Sequence, residues 1–176
     1  MDSAQPQQIN NLLRQGVVTT VDQARALCRV RTGEAHTDYI PWLASAAGTL
    51  AVWAPPSVGE QVTLVCSDGD LANAVALRGL YCDQYPAPSD NADLVMVKFS
   101  DGAVISYDSA SHALAAILPS GGIATITADG GVTINGPVTI NGKAEASEDV
   151  VGGGISLKQH KHGAVQPGSG TSGPPA

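Results

Sequence analysis

The sequence predicts an all-β protein in which a small N-terminal barrel is followed by a narrow shaft shared by three chains. Short apolar runs recur between turn signals through the first part of the chain, which is typical of strands. A Val-Thr-Ile-Asn-Gly unit then occurs twice, six residues apart. No Phe, Trp or Tyr follows Tyr107, and 13 of the 20 glycines lie after residue 120. The chain therefore contains two kinds of structure.

Residues 1–15 form an N-terminal segment, in which we expect one short polar helix over residues 5–15. Three apolar residues at i, i+3 and i+4 spacing would share one helix face, namely Ile9, Leu12 and Leu13. Gly16 is expected to end this helix.

Residues 16–86 are predicted to form an OB-fold domain. Short strands at spacings of roughly 10 to 15 residues are typical of a small closed β-barrel of this kind. The expected strands span residues 16–21, 26–31, 37–42, 48–53, 61–66 and 74–81. Turns are expected at residues 55–60 and 67–70, which are rich in Pro, Gly, Ser and Asp.

Residues 87–150 are predicted to form the shaft. A Pro- and Asp-rich linker over residues 83–93 spans the boundary between the OB domain and the shaft. Strands are expected at residues 95–99 and 103–107 around an Asp101-Gly102 hairpin turn. A further strand pattern covers residues 112–118.

The repeated unit is the observation that predicts an assembly of three chains. It spans residues 132–136 and 138–142, and a looser copy covers residues 124–128. Within each unit Val and Ile lie two positions apart and so share one strand face. Because so few repeats cannot bury that face alone, we expect three chains to wind into an intertwined, triple-stranded β-helix, a β-prism-like shaft. An intrachain meander at the end of the barrel is the alternative.

Composition and charge exclude several classes of protein. The net charge is −7 with an isoelectric point near 4.8, which disfavours nucleic-acid binding. No apolar stretch has the length of a membrane-spanning helix, and the polar N-terminus does not resemble a secretion signal. Only 14% of residues are charged, so the remaining surface is expected to be small and polar or covered by another chain. Cys28, Cys66 and Cys82 are expected to be buried free thiols.

His160 and His162 are the candidate metal ligands. In extended backbone they point to the same side. Two imidazoles cannot complete a metal shell, but three copies around an axis offer six nitrogens. Six-coordination favours iron, nickel or cobalt over zinc, which prefers four ligands. His36 and His112 have no such partner and are interpreted as ordinary structural histidines.

The C-terminal run over residues 152–175, Gly-Gly-Gly-Ile-Ser-Leu-Lys-Gln-His-Lys-His-Gly-Ala-Val-Gln-Pro-Gly-Ser-Gly-Thr-Ser-Gly-Pro-Pro, resembles the tip of the baseplate assembly protein V family. These proteins are the central tail spikes of contractile-tailed bacteriophages and related pyocins. The resemblance implies a homotrimer with an apex at residues 151–176, where an iron ion is held by His160 and His162 of each chain. It also allows calcium and chloride ions on the axis, without assigning their ligands.

The function implied by the resemblance is mechanical rather than catalytic. Tail contraction would push the spike through the host outer membrane, with the OB domain toward the hub and tube proteins of the baseplate. The protein is then expected in the virion, at the baseplate tip, after synthesis in the host cytoplasm. The alternatives are a receptor-binding tail fibre and a spike that carries cell-wall hydrolase activity. None of the four glutamates, Glu34, Glu60, Glu145 and Glu148, has a recognisable catalytic setting.

Overall fold

The computed structural model of the chain describes residues 11–161 and 168. It separates into two compact units, Met1–Ala124 and Thr125–Ala176. Every element longer than three residues in the described part is a β-strand, which confirms the predicted all-β class. No helix in that part of the chain is long and apolar enough to cross a membrane.

A six-stranded antiparallel sheet forms the N-terminal barrel. Its strands are β1 Leu13–Asp22, β2 Leu27–Thr32, β3 Ala35–His36, β4 Ile40–Pro41, β5 Gln61–Cys66 and β6 Ala74–Leu80. They are ordered β3-β2-β1-β5-β6, and β4 also pairs with β2. After β4, Trp42 forms a parallel bridge to Ala76, and the Leu43 amide donates to the Ala76 carbonyl at 2.9 Å. These contacts join the two ends of the sheet.

The barrel interior is filled by small and branched side chains that alternate along the strands. In β5, for example, Val62, Leu64 and Cys66 are buried. The core cluster consists of Val18, Cys28, Val30, Ile40, Val62, Leu64, Cys66, Ala74 and Ala76. Between Val18 and Thr20 the register of β1 against β2 shifts. Such a bulge bends a strand and increases its twist, as closure of a small barrel requires.

The predicted helix over residues 5–15 is wrong at its C-terminal end. Leu13, Arg14 and Gln15 are the first residues of β1 and pair with Val65, Leu64 and Thr63 of β5, respectively. The ladder satisfies the backbone groups and overrides a helix pattern of only three apolar residues. Residues 5–10 lie outside the described part of the chain. Gly16, predicted to begin the strand over residues 16–21, is a buried residue within β1, so that part of the prediction is confirmed.

The predicted strand over residues 48–53 is also wrong. This run lies in the long connection between β4 and β5, where only an isolated bridge joins Ala47 to Ala51. The amides of Gly48 and Val52 donate to the carbonyls of Leu50 and Ala46, both at 2.9 Å. Because Trp42 and Leu43 already occupy the edge of β6, the segment has no ladder to join.

A second sheet follows the barrel and consists of β7 Leu94–Lys98, β8 Val104–Asp108 and β9 Ala113–Ile117 in that order. The predicted Asp101-Gly102 turn is confirmed. The Phe99 amide donates to the Ala103 carbonyl at 2.9 Å, and Gly102 has a φ of 91°, which glycine adopts without strain.

The repeat region contains no strand in the single chain. Residues 118–150 form no ladder, and their side chains are exposed. The alternative of an intrachain meander is therefore not what the repeats form. Gly136 and Gly142, which end the two copies of the repeat, have nearly identical φ values of 152° and 153°. The backbone of the two units thus bends in the same way.

Candidate metal centre at the C-terminal hairpin

A short antiparallel hairpin precedes the candidate histidines. It is made of β10 Val151–Gly152 and β11 Ile155–Ser156. Gly153 and Gly154 link the strands with φ values of 58° and 84°. A two-residue hairpin turn needs positive φ at both central positions, and glycine supplies it most readily. The glycine run of the sequence is thus explained by the turn.

One face of this hairpin is apolar and open. The alternation of side chains along the two strands places Val150, Ile155 and Leu157 on this face. Each of these side chains is more than half exposed. With Gly152 and His160 they line a shallow concavity of about 390 Å³. An exposed apolar face of this kind is unusual on the solvent-accessible surface of a soluble protein. His160 therefore lies at the edge of an exposed apolar face.

Asp149 closes the open end of the hairpin on the opposite face. Its Oδ1 accepts hydrogen bonds from the amides of Val150 at 2.9 Å and Lys158 at 3.0 Å. The Leu157 amide donates to the Val150 carbonyl at 2.8 Å. A hydrogen bond from the Ser156 side chain, joined by the Lys158 amide, lowers the pKa of the Asp149 carboxyl. Asp149 is thus a charged acceptor that joins the two ends of the hairpin.

The first turn after β11 positions His160. The His160 amide donates to the Ser156 carbonyl at 3.0 Å, and the Gln159 amide donates to Ser156 Oγ at 2.9 Å. The ring then turns back on its own chain, with Nδ1 2.9 Å from the carbonyl oxygen of Leu157. His160 therefore has a defined place at the edge of the apolar face.

The other candidate ligand, His162, lies outside the described residues. His36 and His112 are exposed, in β3 and in the turn before β9. No group of three or more His, Cys, Asp or Glu side chains within residues 11–161 is arranged to hold a metal ion. Imidazole nitrogens suit iron and related metals, so the donor chemistry of His160 fits such an ion. Within residues 11–161, one chain supplies too few of these ligands.

Sequence reasoning missed the role of Asp149. The nearby Glu145 and Glu148 are exposed, and Glu145 pairs with Lys143. An Asp placed directly before the apolar-glycine run of a hairpin is the signal that points to it, because Asp side chains readily accept from nearby backbone amides.

The four glutamates form no pair of carboxylates in a cleft. Glu34 is exposed in the turn between β2 and β3. Glu60 is bound on both oxygens by Arg78, at 2.8 and 2.9 Å. Glu60, whose side chain is only 13% exposed, is thus held in an ion pair.

The free cysteines differ in burial. Cys28 and Cys66 are fully buried in the barrel core, as predicted, and burial raises the pKa of each thiol. Cys82 is only half-buried, so the prediction of a buried thiol is wrong there.

Comparison with known proteins matches both ends of the chain. A family described as the type VI secretion system/phage-baseplate injector OB domain matches residues 14–81. A second family, the GpV Apex motif, matches residues 154–176. The chain is also 40% identical over 127 residues to the spike protein of Escherichia phage P2. That alignment covers 71% of this chain and 58% of the phage P2 protein, so the chain matches little more than half of its relative. The predicted N-terminal OB-fold domain is confirmed, and the chain belongs to the phage baseplate spike family.

Proposed function

We propose that three copies of this chain form the central spike of a contractile tail, and that the spike pierces the outer membrane of the host when the tail contracts. The observation that carries this proposal is the exposure of the repeat region. Its Val and Ile side chains are between 59% and 86% exposed in the single chain: Ile123, Ile126, Val132, Ile134, Val138 and Ile140. Apolar surface of this extent is expected to be covered in the working protein.

The sheet of β7–β9 supports the same assembly. Directly opposed residues of an antiparallel sheet share a face, so the register places Val95, Tyr107 and Leu114 on one side, next to Val97 and Ile105. All five are exposed, whereas most side chains of the other face are half-buried. The apolar side would face the trimer axis, where only other chains can cover it.

Residues 87–150 would then form the intertwined shaft. Three chains stacked in register place Val and Ile of each repeat inward in layers, and leave Thr and Asn outside. Every strand gains a neighbour, so that no edge remains free. Along the repeats, over residues 124–142, the shared axis would be narrow and would admit β-branched and small side chains but no aromatic ring, which fits the absence of Phe, Trp and Tyr from that part of the sequence.

The apex of the trimer would hold one metal ion, which we assign as iron. His160 and His162 from three chains provide six imidazole nitrogens, a set that favours iron, nickel or cobalt over zinc. The match of residues 154–176 to the apex motif supports this assignment. The metal would cross-link three chain ends that otherwise fray.

The mechanism is passive and needs no catalytic residue. Bending or separating the intertwined shaft would break many ladder hydrogen bonds at once, so that force applied at one end is transmitted to the tip. The Glu60 carboxylate is engaged by Arg78 and the apex carboxylate of Asp149 by backbone amides, which fits a structural role for both.

The OB domain would dock on the hub and tube proteins of the tail. The segment from Tyr39 to Gly59 carries no charged residue. Its large apolar side chains include Leu43, Leu50 and Trp53, which are exposed by more than half. Such a surface is suited to binding another protein, since aromatic residues are enriched at protein–protein interfaces.

Native mass spectrometry combined with metal analysis tests the proposal. The purified chain is expected to have the mass of three copies, with about one iron per three chains. A monomer in solution would contradict the spike, and a trimer without metal would contradict only the iron apex. Peptidoglycan degradation or tight binding to lipopolysaccharide would instead favour the hydrolase or the receptor-binding fibre.

A further inference from the structure

Each copy of the repeat ends in an asparagine followed by a glycine, as Asn135-Gly136 and Asn141-Gly142. All four residues are exposed and lie outside every strand. In the part of the chain that the structure describes, neither asparagine side chain and neither glycine amide takes part in a hydrogen bond. The side-chain amide and the next peptide nitrogen of each dipeptide are therefore both unengaged in the single chain.

The other described asparagines are held in place. The side chain of each takes part in at least one hydrogen bond: Asn11 with Arg14, Asn73 with Asp70, and Asn91 with Asp108 and with the Asp93 amide. None of the three precedes a glycine, so the side chain of the next residue crowds the peptide nitrogen. The two asparagines of the repeats thus differ from these three both in sequence and in surroundings.

An unengaged Asn-Gly pair is set up for an intramolecular reaction. The glycine peptide nitrogen, after its proton passes to hydroxide, attacks the side-chain carbonyl carbon of the asparagine. A ring C–N bond forms, the bond to the amide nitrogen breaks, and ammonia leaves a succinimide. Water then opens the ring to aspartate or isoaspartate, so that amide and water become carboxylate and ammonium without any oxidant. A Cβ at Gly136 or Gly142 would meet nothing within 4 Å, so the surrounding chain does not shield either nitrogen.

We infer that Asn135 and Asn141 are sites of spontaneous deamidation in the unassembled chain, and that pairing of the repeats with other chains suppresses the reaction. The second half rests on the proposed trimer, whereas the first concerns one chain alone. A ladder hydrogen bond would engage the glycine amide and fix the backbone, which keeps the nitrogen from the side-chain carbonyl. Isoaspartate adds one atom to the backbone and a negative charge, so the modification marks chains that have not assembled.

The test compares two full-length proteins, the wild type and Ile126→Asp. Ile126 is 81% exposed in the single chain, and a charge on the shared axis is expected to keep the variant monomeric while both dipeptides stay intact. Native mass gives the state of each protein. If the variant assembles, the wild-type chain held apart in guanidinium chloride replaces it. The samples are incubated at pH 8, and peptide mass spectrometry follows each asparagine, with isoaspartyl methyltransferase as the reagent for isoaspartate.

We expect the unassembled chain to lose its side-chain amides at Asn135 and Asn141 well before Asn91. In the wild-type trimer, conversion at both sites should be about tenfold slower or more, because the ladder holds the amides closed for most of the time. The matched control, Asn135→Gln combined with Asn141→Gln, keeps both amides but requires a larger ring. Its isoaspartate signal should fall to background.

These outcomes separate the inference from the proposed function. A wild type that is monomeric and loses both amides contradicts the trimer and still supports the two sites. Equal rates in a wild-type trimer and in the unassembled chain would overturn the protection by assembly. An unassembled chain in which Asn135 and Asn141 react no faster than Asn91 would overturn the site assignment, whatever the mass of the wild type.

Discussion

The guanidinium of Arg78 binds both carboxylate oxygens of Glu60, with Nε donating at 2.8 Å and Nη2 at 2.9 Å. Glu60 Oε2 also accepts from the Ser57 amide at 2.9 Å, and Arg78 Nη1 donates to the Ala54 carbonyl. The pair therefore ties strand β6 to the long connection that precedes β5. Its side chains are only 25% and 13% exposed, so solvent screens it less than a surface ion pair.

Arg78→Met is expected to lower the free energy of unfolding of the barrel by about 2 kcal/mol. The largely buried Glu60 carboxylate would lose the hydrogen bonds that the Arg78 guanidinium donates to it. Arg78→Lys keeps the charge but cannot bind both carboxylate oxygens in the bidentate geometry of arginine. Its free energy of unfolding should lie between those of the wild type and Arg78→Met. Urea unfolding followed by tryptophan fluorescence measures this, since Trp42 and Trp53 both belong to the barrel domain. Arg25→Ala, which removes an exposed ion pair with Asp22, is the control and should change little. Equal effects of Arg78→Met and Arg25→Ala would contradict the prediction.

Gly16→Ala is expected to destabilise the barrel by about 1 to 3 kcal/mol, the usual range for overpacking. An added Cβ would lie 2.5 Å from Val30 Cγ1 and 2.8 Å from the Arg31 carbonyl oxygen, so one strand must move. Gly48→Ala is the matched control, because its Cβ would meet nothing within 4 Å. Thermal unfolding should separate the two variants, and a Gly16→Ala protein as stable as the control would refute the packing argument.

Ile134→Asp is expected to prevent assembly of the shaft. In a lone chain the side chain is 65% exposed, so a monomer would tolerate the charge. On a shared axis, three carboxylates would face one another without a counter-charge, which is strongly unfavourable. Thr133→Asp, on the other face of the same repeat, should still assemble. Native mass reports both results, and a normal trimer of Ile134→Asp would place this residue off the axis.

His160→Ala combined with His162→Ala is expected to leave the trimer assembled and to remove its iron. In the proposed trimer the shaft would be held by β-ladders and apolar layers that do not involve these rings, whereas the metal would depend on them. Elemental analysis of the purified trimer measures the loss, and His36→Ala provides a control histidine outside the apex. Iron that persists in the double variant would show that the apex ligands lie elsewhere.

Cys28 and Cys66 are expected to resist alkylation at pH 8 in the folded protein. Burial raises the pKa of both thiols, so the reactive thiolate is scarce at that pH, and the core also blocks the reagent. The half-buried Cys82 should react first. Mass spectrometry after timed treatment with iodoacetamide measures the order, and all three thiols should react once urea unfolds the barrel. Rapid labelling of Cys28 in the native state would argue against the core described above.

Local patterns predicted some elements closely. The strand over residues 61–66 has the predicted bounds, because its apolar alternation and its flanking turns agree. The Asp101-Gly102 hairpin was recognisable for the same reason, since the turn chemistry and the neighbouring strands point to one structure. The assignment of His160 and His162 as metal ligands stays a prediction from their spacing, and the structure describes only the surroundings of His160.

Elements that depend on distant partners could not be predicted. Leu13 to Gln15 follow a helix pattern but extend β1, because β5 offers a ladder almost fifty residues away in sequence. The run at residues 48–53 follows a strand pattern but has no edge to join, because Trp42 and Leu43 already bind at Ala76. In both cases the availability of an unpaired neighbour decided the outcome, and no local window contains that information.

The sequence by itself determined the all-β class, the OB domain and the two-part composition, and it predicts His160 and His162 as the metal ligands of the apex. The tertiary structure decided which strands pair, that the repeats do not pair within one chain, that Asp149 accepts from the Lys158 amide, and that His160 Nδ1 lies 2.9 Å from the Leu157 carbonyl oxygen. The physical reason is the range of the interactions. Alternation, turn chemistry and glycine content act over a few residues and can be read along the chain. Ladder partners, exposed apolar faces and the orientation of an imidazole depend on residues that meet only after folding.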